Sequence, residues 1–213
     1  MKIAIVIGHN SKAQGAVRVT DGRTEFDWNG QLAELIRSHD PDSVKVFRRE
    51  AGGGYSAEID RVYREVDKWG ANCSLELHFN GSSNPLANGG ETLSSGSAGS
   101  KRLADLVRSN VSAALGNSDR GVRVLKRQDR GGRSLWQGKS PAVLTEPYFG
   151  SNVAECLNAG MHVDRLAEAY FRAAVTFLGG SANIEQVKPV APPTASPERA
   201  MLAEIHAMTK PYA

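Results

Sequence analysis

Four residues are of the types hydrolytic chemistry uses, and they stand where an α/β chain would expose them: His9, Glu25, His78 and Glu146. His9 follows the apolar run Ile3-Ala4-Ile5-Val6-Ile7 after one glycine, and His78 comes late in Cys73-Ser74-Leu75-Glu76-Leu77-His78-Phe79, with Asn80 just beyond. Glu146 ends Ala142-Val143-Leu144-Thr145-Glu146, and Glu25 opens a stretch with helical spacing. Catalytic groups in α/β folds collect where strands run out into loops. Two histidines and one carboxylate form the ligand set of a catalytic zinc, which keeps a fourth position for water. A further carboxylate, off the metal, can then move protons. Taken singly, each residue has a plainer reading. A strand-end histidine is usually a hydrogen-bonded structural group, and an acid in a helix's first turn complements the helix dipole. Spacing does not say which carboxylate binds and which moves protons, because ligands from separate elements have no fixed separation.

The elements that must position these groups follow from periodicity. Strands are expected at residues 2–7, 44–47, 73–79, 90–95 and 142–146. Trp28, Leu32, Leu35 and Ile36 stripe a helix over residues 25–38, and Ile59, Val62, Tyr63 and Val66 stripe a second. Leu103, Leu106, Val107 and Val111 mark a third helix; Leu166, Tyr170, Ala173 and Phe177 face inward from a long fourth. Short strands alternating with amphipathic helices predict an α/β fold, a single layered domain whose mostly parallel or mixed central sheet is flanked by helices on both faces. No internal repeat is visible. Residues 1–180 are expected to be the catalytic domain, closed by Gly179-Gly180. Residues 181–197, with Pro189, Pro192, Pro193 and Pro197, read as a stiff linker, and residues 198–213 as a short helical tail.

Composition removes several classes. The chain has 213 residues and a formal net charge of +3, too small to argue for nucleic-acid binding. Its longest apolar run is five residues, far from the ~18–20 that span a bilayer and short of a secretory core of ~7–15. Neither a membrane span nor a signal peptide is expected. Cys73 and Cys156 cannot make a disulfide framework or a four-thiolate zinc site. Charge is uneven: residues 120–139 carry seven basic residues against Asp129 alone. Read plainly, this is a solvated loop and strand edge; read sharply, it is a positive patch facing an anionic polymer. With Trp136 as its only aromatic, the stretch lacks the stacking residues of a nucleic-acid site.

Six segments, in order, resemble the zinc-dependent N-acetylmuramoyl-L-alanine amidases, the family of bacterial autolysins and many phage lysins. They are Ile5-Val6-Ile7-Gly8-His9, Glu25-Phe26-Asp27-Trp28-Asn29, Glu76-Leu77-His78-Phe79-Asn80, Gly90-Glu91-Thr92-Leu93, Arg120-Gly121-Val122, and the run from Val143 through Glu146 to Asn152. Each is short, but six in sequence order across residues 1 to 180 are specific. The resemblance implies one Zn2+ held by His9, Glu25 and His78, with Glu146 as the acid/base. It further implies cleavage, by zinc-activated water, of the amide between N-acetylmuramic acid and L-alanine of the peptidoglycan stem peptide. The expected partner is peptidoglycan, with no nucleic acid, and the expected state is a monomer. Synthesis in the cytoplasm without a signal peptide would fit release to the wall by a holin-like route. Asn10 stands where many members have a second glycine, and Glu76 where a small residue is common. Alternation puts Glu76 on the face of His78, as an orienter of that ring or a competing acid. Asn80 is expected to touch substrate or hold its loop. Two other readings use the same residues: a zinc peptidase acting within the stem peptide, and a peptidoglycan-binding module without catalysis.

Overall fold

In the computed structural model, which describes residues 1–181, the first strand shows how one short sequence serves two layers. Strand β1 (Ile3–Asn10) points Ile3, Ile5 and Ile7 to one face and Ala4 and Val6 to the other, as period-two alternation requires. The first face is covered by helices α1 (Glu25–Ser38), α3 (Ala98–Leu115) and α6 (Val163–Phe177), whose buried stripes include Leu32, Leu103, Val107, Leu166 and Tyr170. The second is covered by α2 (Gly54–Trp69) through Ile59, Val62, Tyr63 and Val66. Helices therefore lie on both faces, as the sequence predicts.

The other strands are β2 (Val44–Arg49), β3 (Cys73–Leu77), β4 (Gly90–Ser94), β5 (Asp119–Val124) and β6 (Ala142–Glu146), in the spatial order β2-β1-β3-β6-β4-β5. The first four in that order are parallel. Strand β4 runs antiparallel to β6, and β5 is parallel to β4, joined to it through the α3 crossover. The sheet is thus mixed. Its three central parallel strands, β1, β3 and β6, send their carboxyl ends to one edge of the molecule.

Three elements differ from the sequence expectation. The edge strand β5 is largely exposed and carries Arg120 and Arg123, so it shows no apolar alternation to read. A short helix, α4 (Gly132–Gln137), lies within the basic stretch, with Leu135 buried against Leu93, Leu125 and Leu144. Helix α5 (Val153–Met161) precedes α6, the two meeting at His162. The proposed linker and tail fall outside the described residues, except Ser181. Among the described residues no helix is long and apolar enough to cross a membrane.

Candidate active site

His9, His78 and Glu146 come from the ends of three adjacent strands, where a parallel sheet opens its crevice. His9 reaches its place through a backbone irregularity. The β1–β2 register shifts between Ile7 and Asn10, and His9 has φ 67°, the one positive φ outside glycine among the described residues. Such a conformation costs of order 1 kcal/mol or more and persists only when neighbours fix it. Asn10 does the fixing. It is buried, its Oδ1 accepts from the Lys12 and Ala13 amides at 2.8 Å each, and its Nδ2 donates to Glu58 at 2.7 Å. Where a second glycine would leave the turn loose, Asn10 ties it to α2.

Glu25 is the first residue of α1, whose cap is the Thr24 hydroxyl. Its carboxylate turns back toward the strand ends instead of only facing the helix dipole. Oε1 accepts from the Ala16 amide at 2.9 Å and Oε2 from the Phe79 amide at 3.2 Å. Oε2 also lies 3.2 Å from His9 Nε2 and 3.1 Å from His78 Nδ1. One ligand atom from each of these three residues falls within 4.8 Å of the others, a spacing able to hold a metal ion. Burial favours a neutral Glu25, but His78 and His9 outweigh it and hold the carboxyl far below the usual carboxylate range. For His78, burial opposes the charge while Glu25 and Glu76 raise the ring to about 10. A cation belongs among these groups, either on the ring or between the side chains.

The donor set fits zinc on a second count. His78 Nε2 lies 3.1 Å from Glu76 Oε1, so with an ion at the site this nitrogen would be the donor to Glu76 and the Nδ1 lone pair would be left for the metal. Glu76 is 1% exposed, and its other oxygen accepts from the Tyr63 hydroxyl at 2.9 Å. Burial pushes its carboxyl up, but His78 and Arg49 bring it below the ordinary value. Glu76 thus touches both the His78 ring and Tyr63, a position from which a carboxylate can orient the ring. Space is equally restricted: a Cβ on Gly8 would lie 2.4 Å from the His78 ring, and one on Gly15 would lie 2.7 Å from that of His9.

Glu146 is next to this cluster. The His78 amide donates to the Thr145 carbonyl at 3.0 Å, which sets Glu146 beside His78 one strand over. Burial raises the Glu146 carboxyl; His78 pulls it down, and Glu91 and Glu25 push it further up. Glu91 is a residue that the sequence reading left without a role. It faces Glu146 across the β4–β6 ladder, is buried, and accepts from Asn80 Nδ2 at 3.1 Å. Asn80 thereby holds its loop, its backbone also pairing with Tyr148 and Gly150. His39 caps α1 and stacks on Phe171, and His162 lies between α5 and α6; neither joins the cluster.

All these groups open into one cleft of about 1330 Å³, larger than the ~300–1,000 Å³ typical of a small-molecule pocket. Its floor holds the His and Glu residues, and its far wall is formed by β5, the following loop and α4. Parts of the basic stretch are committed inside the protein. Arg133 binds Asp60 through two bonds of 2.9 and 2.7 Å, and Arg127 donates to Gln137 at 2.6 Å.

Comparison with known proteins bears on the whole described chain. The profile of the N-acetylmuramoyl-L-alanine amidase family matches residues 3–175. The chain is 27% identical over 177 residues to the Bacillus subtilis N-acetylmuramoyl-L-alanine amidase LytC. That match takes in 80% of this chain and 34% of LytC, so the chain spans about a third of that relative's length. The fold resembles the catalytic domain of CwlV, an N-acetylmuramoyl-L-alanine amidase of Bacillus (Paenibacillus) polymyxa, at a TM-score of 0.71 and 24% identity, covering 84% of this chain and 99% of that one. It also resembles the catalytic domain of the CD27L endolysin targeting Clostridia difficile, at a TM-score of 0.69 and 22% identity, over 86% and 99%.

Proposed function

This chain belongs to the N-acetylmuramoyl-L-alanine amidase family, and from that premise we propose that it hydrolyses the amide joining N-acetylmuramic acid to L-alanine of the peptidoglycan stem peptide. The observation that carries the proposal is the meeting of His9 Nε2 and His78 Nδ1 on one oxygen of Glu25, at 3.2 and 3.1 Å, with Glu146 on the adjoining strand end. His9, Glu25 and His78 would hold Zn2+. When bound there, zinc supplies the Lewis acidity that polarises an amide carbonyl and acidifies water near neutral pH.

The protein's own residues do the rest. Glu146, partly exposed to the cleft and raised by its surroundings, accepts the proton of the attacking water and returns it to the departing alanine amine. Glu76 holds the His78 ring in one tautomer, and the Ala16 and Phe79 amides fix both oxygens of Glu25. The cleft, at about 1330 Å³, has room for more than a single small molecule, as a polymeric substrate requires. Digestion of purified peptidoglycan followed by mass spectrometry of the released peptides tests the reading. Peptides with a free L-alanine N-terminus and intact lactyl groups on the glycan are expected. Cuts within the stem peptide would replace the amidase by a peptidase, and wall binding without release would leave a binding module.

A further inference from the structure

Among the described residues six arginines line the cleft, and four of them are occupied. Arg133 is taken by Asp60, Arg127 by Gln137 and the Trp136 carbonyl, Arg49 by Glu58 at 3.1 Å, and Arg120 by Glu91 Oε1 at 3.1 Å. The remaining two are Arg123 and Arg130. Arg123 is 59% exposed, and its one acid among the described residues is Glu91 at 3.8 Å, which already serves Arg120. Arg130 is exposed, and no ion pair holds it among the described residues. Charge on an edge strand discourages unwanted pairing, which accounts for a cation on β5. It does not account for Arg130, which lies beyond that strand and still lines the cleft.

Position says what the pair would meet. Glu91 faces Glu146, so Arg123, reaching toward Glu91, points its guanidinium to within about two side chains of the proposed proton-moving group. Strands β6 and β5 are two spacings of about 4.8 Å apart, with β4 between them. Arg123 pairs with Leu93, two residues along β4 from Glu91, so it is also offset by about 7 Å along the strands. Its side chain reaches back toward Glu91, leaving a distance that one or two residues of extended peptide cover at about 3.4 Å each. A guanidinium with open donors presents a planar fork matched to a carboxylate. Stem peptides carry a carboxylate at this remove, on the residue after L-alanine, which occurs as the free acid or as the amide.

We infer that Arg123 and Arg130 form a subsite for the free carboxylate of the second stem-peptide residue, so that the protein discriminates against amidated stems. The inference rests on the amidase reading and adds a substrate preference to it. Two soluble muramyl peptides, identical except for carboxylate or carboxamide at that residue, test it. The parent is expected to favour the free acid by about tenfold in kcat/KM, mainly through KM, as suits the loss of charge-assisted bonds. The exposed double variant R123Q/R130Q should erase that preference. Equal use of both substrates by the parent, or a preference that survives in the variant, overturns the subsite while leaving the amidase intact. If neither substrate is cut, the amidase reading fails; calorimetric binding of the two peptides to parent and variant then decides the subsite by the same ratio.

Discussion

Glu76 Oε1 lies 3.1 Å from Nε2 of His78 at the end of β3, and its second oxygen takes the Tyr63 hydroxyl at 2.9 Å. A buried carboxylate held on both sides can fix the ring's tautomer and angle. Glu76→Gln keeps the size but offers the ring a weaker acceptor. Zinc affinity should fall about 10–100-fold, with the far-ultraviolet spectrum unchanged. A competition titration with a chelating dye measures this, and affinity equal to the parent's would reduce Glu76 to a partner of Tyr63.

A substitution at Glu146 tests whether chemistry and metal binding are separate. It ends β6 beside His78 and shares no hydrogen bond with His9, Glu25 or His78. Glu146→Gln should therefore fold and keep its zinc while turnover drops by roughly 10²-fold or more. Metal analysis beside single-turnover kinetics reads both. Zinc loss would make Glu146 a ligand, and turnover near the parent's would move the proton role to another carboxylate.

How much of this was legible follows the physics of each element. Strands β1, β3 and β6 are buried on both faces; β1 and β6 read as apolar runs and β3 as Leu75 and Leu77 alternating with Ser74 and Glu76, so the polar residue at or just after each end stands out. That made His9, His78 and Glu146 visible from composition, while the family resemblance supplied the division of roles between Glu25 and Glu146. Glu91 was not legible because its meaning depends on the antiparallel register with Glu146, a pairing between residues 55 positions apart that no local pattern encodes. Strand β5 is an exposed edge without alternation, and α4 has only six residues behind a glycine cap. The Asn10–Glu58–Arg49 ties join three elements and likewise leave no periodic trace.

Close approach at Gly8 gives a test by crowding. A Cβ there would lie 2.4 Å from His78 Cε1 and Nε2 and 2.6 Å from the Leu77 carbonyl oxygen, and the backbone atom cannot rotate away. Gly8→Ala should displace the His78 ring, weaken zinc binding, and lower stability by about 1–3 kcal/mol, as overpacking does. Gly22→Ala is the matched control. Gly22 has φ 72° but open space around it, so strain alone, about 1 kcal/mol, should appear with zinc affinity intact. Equal zinc affinity in both variants would mean that the strand spacing at Gly8 does not govern the ring.

The loop over residues 11–24, which places the Ala16 amide on Glu25, is anchored by a buried cation whose partner titrates. The Arg18 guanidinium is 3.8 Å from the Trp28 ring and donates to the Tyr148 hydroxyl at 2.6 Å, to the Cys156 carbonyl at 2.8 Å, and to both Asp21 oxygens at 3.1 Å. Burial alone would raise the Asp21 carboxyl, but Arg23 and Arg18 bring it from 3.8 to about 2. A folded-state value below the unfolded one means that the ionised form stabilises the fold. The contribution is whole above the unfolded pKa and disappears as pH falls through the folded one. Since Asp21 is 30% exposed, solvent screening reduces the effect to about 1 kcal/mol. Asp21→Asn should be less stable than the parent by that amount near neutral pH. The gap should hold down to the unfolded value of 3.8 and close on approach to about 2. Urea unfolding of both proteins across this range measures it, and a gap that stays constant to the acid end would show that the Asp21 charge does not brace the loop.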